Sequence, residues 1–112
     1  MKSPRLTRPL ELESRVTTPD GAGGFTDAWA TLGTLWAEVN ARSGTERREA
    51  GQAVSSMSYR ITVRGAPQGA PSRPRPDQRF RDGTRIFAIR AVAEADPSGR
   101  YLTCFADEEV AV

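Results

Sequence analysis

The side chains best suited to chemistry in this sequence are its carboxylates, its cysteine and its arginines. Glu11 and Glu13 alternate along one segment, and residues 107–109 form a second acidic run. Paired carboxylates can bind a cation or divide acid and base roles between them. Neither pair is accompanied by a motif that would complete such a site. We therefore expect a solvated strand face and a solvated tail.

The other catalytic candidates are excluded by type or by context. The sequence contains no histidine, the commonest general base and metal ligand. Cys104 has no second cysteine to pair with, and between Thr103 and Phe105 it is interpreted as a small core residue. The glycines of residues 21–24 lack the Gly-Lys-Ser/Thr ending of a phosphate loop. We expect no catalytic residue, no metal site and no cofactor.

A group of arginines surrounds a proline-rich segment near the middle of the chain. Its members are Arg73, Arg75, Arg79 and Arg81. They either keep a loop in solution or face DNA or an acidic partner, and they are the candidates for that second role. The net charge of +2 is too small to decide between the two. No aromatic residue precedes Phe80 in this group, which disfavours a stacking platform for single strands.

The elements that must position these residues are strands, because apolar and polar residues alternate along most of the chain. The alternating segments are residues 10–17, 25–32, 35–41, 54–64, 79–81, 84–93 and 101–105. Six or seven short strands with regular turns predict an all-β domain, a small antiparallel barrel or sandwich.

The remaining segments predict the connections of a single domain over residues 1–112. Residues 43–53 are mostly poor strand formers, and we expect one short helix there. Ser43 or Thr45 could cap its N-terminus. Residues 65–78 hold four of the eight prolines and predict a long exposed loop that could reach a neighbour. Residues 1–8 form an N-terminal arm and residues 107–112 an acidic tail. Neither a membrane span nor a signal peptide is expected.

Two tryptophans and a glutamate are candidates for an oligomer interface. Trp36 and Glu38 lie on the polar face of their alternating segment. Trp36 forms either a second apolar layer within the subunit or a contact between subunits, since aromatic residues are enriched at interface centres. Trp29 carries the same two interpretations.

Several short motifs follow one another in a distinctive order along the chain. They are Asp20-Gly21-x-x-Gly24-Phe25, Trp29, Leu35-Trp36-Ala37-Glu38-Val39, Gly44-Thr45-Glu46, Tyr59-Arg60-Ile61-Thr62-Val63-Arg64, Asp82-Gly83 and Leu102-Thr103-Cys104. This order resembles the phage head–tail joining family, the head-completion or stopper proteins of siphophages and gene transfer agents. The resemblance covers residues 10–108. The loop of residues 65–78 departs from it, being longer and richer in proline.

The resemblance implies a small β-barrel that assembles as a homo-oligomeric ring, without catalysis or cofactor. The ring would lie in the particle between the portal or adaptor proteins of the head and the tail terminator or tail tube. Double-stranded DNA would pass through its channel without sequence-specific contact. The resemblance further implies assembly in the bacterial cytoplasm and no membrane partner.

Two alternatives remain open. The first is a tail terminator or another ring protein of the tail tube, which belongs to the same structural class. The second is an OB-like nucleic-acid-binding module, which needs aromatic residues and cations on one sheet face. Tyr59 and Phe87 fall on apolar faces instead, which counts against that module.

Overall fold

A computed structural model describes residues 3–111, apart from the side chains at positions 47–49, 52, 54, 110 and 111. It contains six strands: β1 (Arg8–Pro19), β2 (Phe25–Glu49), β3 (Gln52–Arg64), β4 (Arg79–Asp82), β5 (Arg85–Glu94) and β6 (Tyr101–Ala111). All are paired antiparallel in the order β1-β2-β3-β6-β5-β4. Because β4 pairs back onto β1, the sheet closes into a barrel, and the predicted all-β fold is confirmed.

The described part of the chain contains no helix, and so none long and apolar enough to cross a membrane.

The core follows from the period-two alternation, since every second side chain of a barrel strand points inward. The buried hydrophobic side chains are Leu10, Leu12, Ala37, Ile61, Val63, Phe80, Phe87, Ile89, Leu102, Cys104 and Ala106. Phe80 and Phe87 are directly opposite each other on β4 and β5 and are the largest fully buried side chains. Burying each such ring contributes roughly 1.5–3 kcal/mol.

The strand β2 is longer than the sequence pattern predicts. Residues 25–32 and 35–41 were expected as two strands, and both belong to this one. The pairing with β1 shifts between Leu12 and Glu13, where Leu32 has no partner, next to Gly33. The interruption of the apolar–polar alternation therefore marks an irregularity within one strand, and not a turn between two strands.

The short helix predicted over residues 43–53 is wrong. Residues 43–49 of β2 pair with residues 52–58 of β3 through the turn Ala50–Gly51. The φ angles of 50° and 81° at these two residues are those of a tight hairpin turn. A helix of about three turns is marginal by itself, whereas the hairpin gains a full ladder of cross-strand hydrogen bonds.

Two hairpins extend beyond the barrel from opposite ends of β2. At one end, residues 14–19 of β1 pair only with residues 25–30, because β4 reaches no further than Glu13. At the other end, the hairpin of β2 and β3 is joined by residues 107–111 of β6. The molecule measures 50 × 35 × 22 Å as a result.

The chain termini differ in part from expectation. The N-terminal arm runs along β2, where the Thr7 amide donates to the Ala37 carbonyl at 3.1 Å. Residues 107–111 were expected as a solvated tail, but they continue β6 and pair with β3. Met1, Lys2 and Val112, at the ends of the predicted arm and tail, lie outside the described residues.

The loop of residues 65–78 contains no strand, as its prolines predict, yet it packs against the barrel. Pro74 is fully buried and Gln78 is 5% exposed. The Ile89 amide donates to the Gln78 carbonyl at 3.0 Å, and the Asp77 amide donates to the Ile89 carbonyl at 3.2 Å. The loop is therefore anchored at its second half and is less exposed than its composition predicts.

Candidate interaction surface

Trp36 and Glu38 lie on the outward face of β2, because their neighbours Leu35 and Ala37 point inward. Trp29 lies on the same strand, in the hairpin beyond the barrel and opposite Arg15. Trp36 is 56% exposed, which excludes a second apolar layer inside the subunit. Glu38 is half-buried and accepts hydrogen bonds from the Arg5 amide at 2.9 Å and the Asn40 side chain at 3.2 Å. Glu38 thus fixes the N-terminal arm to the barrel wall.

Trp29 is already covered by two arginines of its own subunit. The Arg79 guanidinium lies 4.1 Å from the centre of the indole ring, and that of Arg15 lies 5.2 Å away. Such cation–π contacts contribute roughly 0.5–1 kcal/mol at an exposed site. Trp29 is therefore half-buried and offers less free surface than Trp36.

The acidic residues of β1 are paired with the arginines of β4, and not simply solvated as expected. Arg79 Nε and Arg81 Nε donate to the two Glu13 oxygens at 2.7 and 2.8 Å. Arg81 also pairs with Glu11. These residues are opposite one another where β4 meets β1, so the network ties together the seam that closes the barrel. Arg79 and Arg81 thus hold their charge within the subunit.

The two loop arginines have different surroundings. Arg73 is half-buried, and its guanidinium donates to the Ala66 carbonyl at 2.8 Å. Arg75 is exposed, and its backbone amide donates to the Gln78 side chain at 2.9 Å. Of the predicted partner-facing arginines, Arg75 presents its charge most freely to solvent.

A second ion pair lies on the inward side at one end of the barrel. Arg85 binds Glu108 through two hydrogen bonds of 2.8 and 3.0 Å, and the Tyr59 hydroxyl donates to the same carboxylate at 3.2 Å. Glu108 is 8% exposed, although its acidic run was expected to be solvated. A carboxylate buried at this point requires the paired arginine, since an unpaired buried charge is costly.

These pairs lower the pKa of both carboxylates. Burial raises the pKa of Glu13, but hydrogen bonds from Arg79 and Arg81 outweigh it and hold the pKa below its usual value. The hydrogen bond from Arg85 lowers the pKa of Glu108 against the opposing effect of burial. Both carboxylates therefore favour the folded state only while they are ionised.

We expect the free energy of unfolding to fall as the pH drops below the unfolded glutamate value of about 4.5, because protonation breaks both pairs. Glu13→Gln with Glu108→Gln should cost about 1–3 kcal/mol per site at pH 7 and flatten the acid profile. Urea unfolding between pH 7 and pH 3 measures both effects. An unchanged acid slope in the double variant would contradict this assignment.

Cys104 is a core residue, in agreement with the sequence interpretation. It is fully buried, and burial raises the pKa of its thiol to about 12. A thiol held protonated in this way is a poor nucleophile. Among the described residues, no group of three acidic, histidine or cysteine side chains is arranged to hold a metal ion.

One outward surface was not singled out from the sequence. Arg60 and Arg64 of β3 are opposite Phe105 and Tyr101 of β6, and the Arg42 guanidinium lies 5.2 Å from the Phe105 ring centre. The three arginines make no ion pair with any described residue. The signal was present in the alternation of residues 60–64, but only the pairing of β3 with β6 adds the aromatic rings.

Comparison with known proteins agrees with this architecture. The family model "phage head completion protein" matches residues 1–109. A chain from the solved structure "Virion of native gene transfer agent (GTA) particle" superimposes with a TM-score of 0.89 and 54% identity, over 98% of this chain and 100% of that one. Among curated proteins, none matches. The match over nearly the whole length means that this chain belongs to the phage head completion protein family.

Proposed function

We propose that this protein is a structural subunit of a phage-like head–tail connector. It joins the DNA-filled head to the tail, assembles as a homo-oligomeric ring and helps to retain the packaged DNA. The observation that carries the proposal is the 54% identity, across the full barrel, to a chain of a gene transfer agent virion. The protein acts in the particle, at the junction of head and tail.

The exposed apolar side chains support an oligomer. Trp36 is 56% exposed, Phe25 69%, Val16 43% and Leu32 41%. They lie on β2 and on the hairpin that extends from it, and not in the barrel interior. Large apolar side chains exposed on one strand and on the hairpin that projects from it are typical of surfaces that a neighbouring subunit covers.

The remaining surface suits a structural role better than an enzymatic one. The charged networks of Glu13 and Glu108 bind the subunit's own arginines and leave no free acid–base pair there. Arg75 is exposed and can contact the phosphate groups of DNA without sequence preference. The neighbours along the particle axis would be adaptor or portal proteins on one side and the tail terminator or tail tube on the other.

One observation favours the OB-like alternative. The outward faces of β3 and β6 place Arg60 beside Phe105 and Arg64 beside Tyr101, so cations and aromatic rings share a sheet face after all. Such a face can stack single-stranded bases. Tight, salt-dependent binding of single-stranded DNA by the purified protein would support this function instead.

Removal of the gene from the producing strain tests the connector proposal. We expect heads that package DNA and then lose it, together with tails that are not attached, as seen by electron microscopy and by nuclease sensitivity of the packaged DNA. Expression of the protein in trans should restore both properties. Tailed particles that still protect their DNA would refute the proposal, whereas protected heads with overlong tails would support the tail-terminator alternative.

A further inference from the structure

The tip of the β1–β2 hairpin, residues 17–27, is an acidic and apolar projection. It carries Asp20 and Asp27, and no cation occurs between Arg15 and Arg42. Phe25, opposite Pro19 and next to the turn, is 69% exposed, more than any other large hydrophobic side chain described. The hairpin residues beyond Glu13 pair only with each other, so the tip stands clear of the barrel.

The tip is nevertheless well ordered by its own hydrogen bonds. The Asp20 carboxylate accepts from the amides of Ala22 and Gly24 at 2.8 and 3.0 Å, and the Thr17 hydroxyl donates to Asp27 at 2.8 Å. The amide hydrogen bonds hold the pKa of Asp20 below its usual value. A rigid, ionised tip loses little conformational entropy when it binds.

A groove of about 600 Å³ lies on the outward face of β3 and β6. The N-terminal arm forms one wall, fixed by the hydrogen bond from Arg5 to Glu38, and residues 93–95 form the other. Tyr101 and Phe105 supply aromatic surface, and Arg60 supplies positive charge. We call this site the β3–β6 groove.

Hairpin tip and groove are different surfaces of the subunit. The hairpin consists of β1 and β2, whereas the groove lies on β3 and β6, which follow β2 in the closed strand order. A contact between two different surfaces is head-to-tail, and it repeats from one copy to the next around an axis. This is the geometry that a closed ring needs.

We propose that the hairpin tip of one subunit docks in the β3–β6 groove of a second copy. Phe25 covers the aromatic rings of the groove, and Asp20 and Asp27 face Arg42 and Arg60. This inference rests on the proposed ring and identifies the segments that build it. The tip has eleven residues, against the roughly 20–30 a side of a standard interface. A single contact is therefore weak, and the closed ring is stabilised because every subunit makes two such contacts.

Charge favours a protein occupant of the groove over DNA. Glu38 and Glu94 line the groove together with Arg5 and Arg60, so its charge is mixed and is not the continuous positive surface that a phosphate backbone favours. An acidic tip can instead approach Arg60 and Arg42 while its apolar residue enters between the carboxylates.

A charge exchange between tip and groove tests the contact in assembled particles. Asp27→Arg and Arg60→Asp should each reduce incorporation of the subunit by about tenfold or more, because like charges then meet at every interface of the ring. The double variant should restore incorporation, since it recreates the pair with reversed sign. Incorporation is measured by quantitative blotting of purified particles, and thermal unfolding checks that each variant folds.

A matched control uses Arg75, an exposed arginine outside the groove. Asp27→Arg combined with Arg75→Asp has the same net charge as the double variant and should not restore incorporation. If neither combination restored incorporation, the docking contact would be refuted. The proposal that the subunit forms a ring would be unaffected. Normal incorporation of Arg60→Asp with loss of packaged DNA would also overturn it and assign the groove to DNA. Absence of the wild-type protein from the head–tail junction would instead refute the proposed function.

Discussion

Phe87→Ala is expected to destabilise the subunit by about 3–5 kcal/mol and to lower its Tm by about 12–20 °C. Phe87 is fully buried, packs edge-on against Tyr59 with ring centres 5.1 Å apart, and lies under the Arg85 guanidinium. The alanine leaves a cavity in a barrel whose backbone hydrogen bonds prevent collapse. Urea and thermal unfolding of the purified protein measure this loss.

Trp36→Ala provides the matched comparison, because it removes an aromatic ring of similar size from the outer surface. With Trp36 56% exposed, the change should cost less than about 1 kcal/mol and leave the Tm nearly unchanged. Its effect should appear in the particle, as reduced incorporation into the ring. If Trp36→Ala unfolded the subunit as Phe87→Ala does, the assignment of Trp36 to an interface would be wrong.

Deletion of residues 66–77 is expected to unfold the barrel end that this loop covers. Gly65 joined directly to Gln78 is too short to bridge the barrel, because β3 and β4 are separated by two strands in either direction. The loop also packs against the barrel, since Pro74 is fully buried and Arg73 lies near enough to Cys104 to affect the pKa of its thiol. Without the loop, the Cys104 thiol should react with a thiol reagent at pH 8, whereas in the intact protein it should react only on unfolding.

Two single-proline variants separate packing from chain length. Pro74→Ala removes buried methylene groups and gives the unfolded chain more conformational freedom. Together these two effects should lower the free energy of unfolding by about 2 kcal/mol. Pro71→Ala changes an exposed proline and should cost below about 1 kcal/mol. Faster Cys104 labelling is expected for Pro74→Ala alone. Equal labelling of both variants, or a deletion variant as stable as the wild type, would show that the loop does not cap the barrel.

The outward and inward positions were largely predictable from the sequence. Alternation assigned Leu10, Leu12, Ile61 and Val63 to one face of their strands, and the structure buries them all. Alternation also put Trp36 on the polar face of its strand. Period-two patterning determines these assignments because successive side chains of any strand point to opposite sides.

Predictions from local composition were wrong for two segments whose conformation depends on pairing with a distant strand. Residues 43–49 and 107–111 contain few strong strand formers, so the sequence predicted a helix and a solvated tail there. In the structure each segment is paired with β3, which gives its backbone a ladder of hydrogen bonds. The strand preference of a residue depends on its neighbours across the sheet, and those neighbours are distant in sequence.

By itself, the sequence determined the all-β class, the absence of histidine chemistry, the buried cysteine and the outward position of Trp36, because each depends on residue type or on spacing within one strand. Only the tertiary structure decided which charges are free. It paired Glu13 with Arg79 and Arg81, and Glu108 with Arg85, across 66, 68 and 23 residues of chain. It also brought β3 beside β6 to form the groove. Such contacts arise when strands pair and the sheet closes on itself, and the residue spacing within one strand does not show which side chains of other strands will lie opposite.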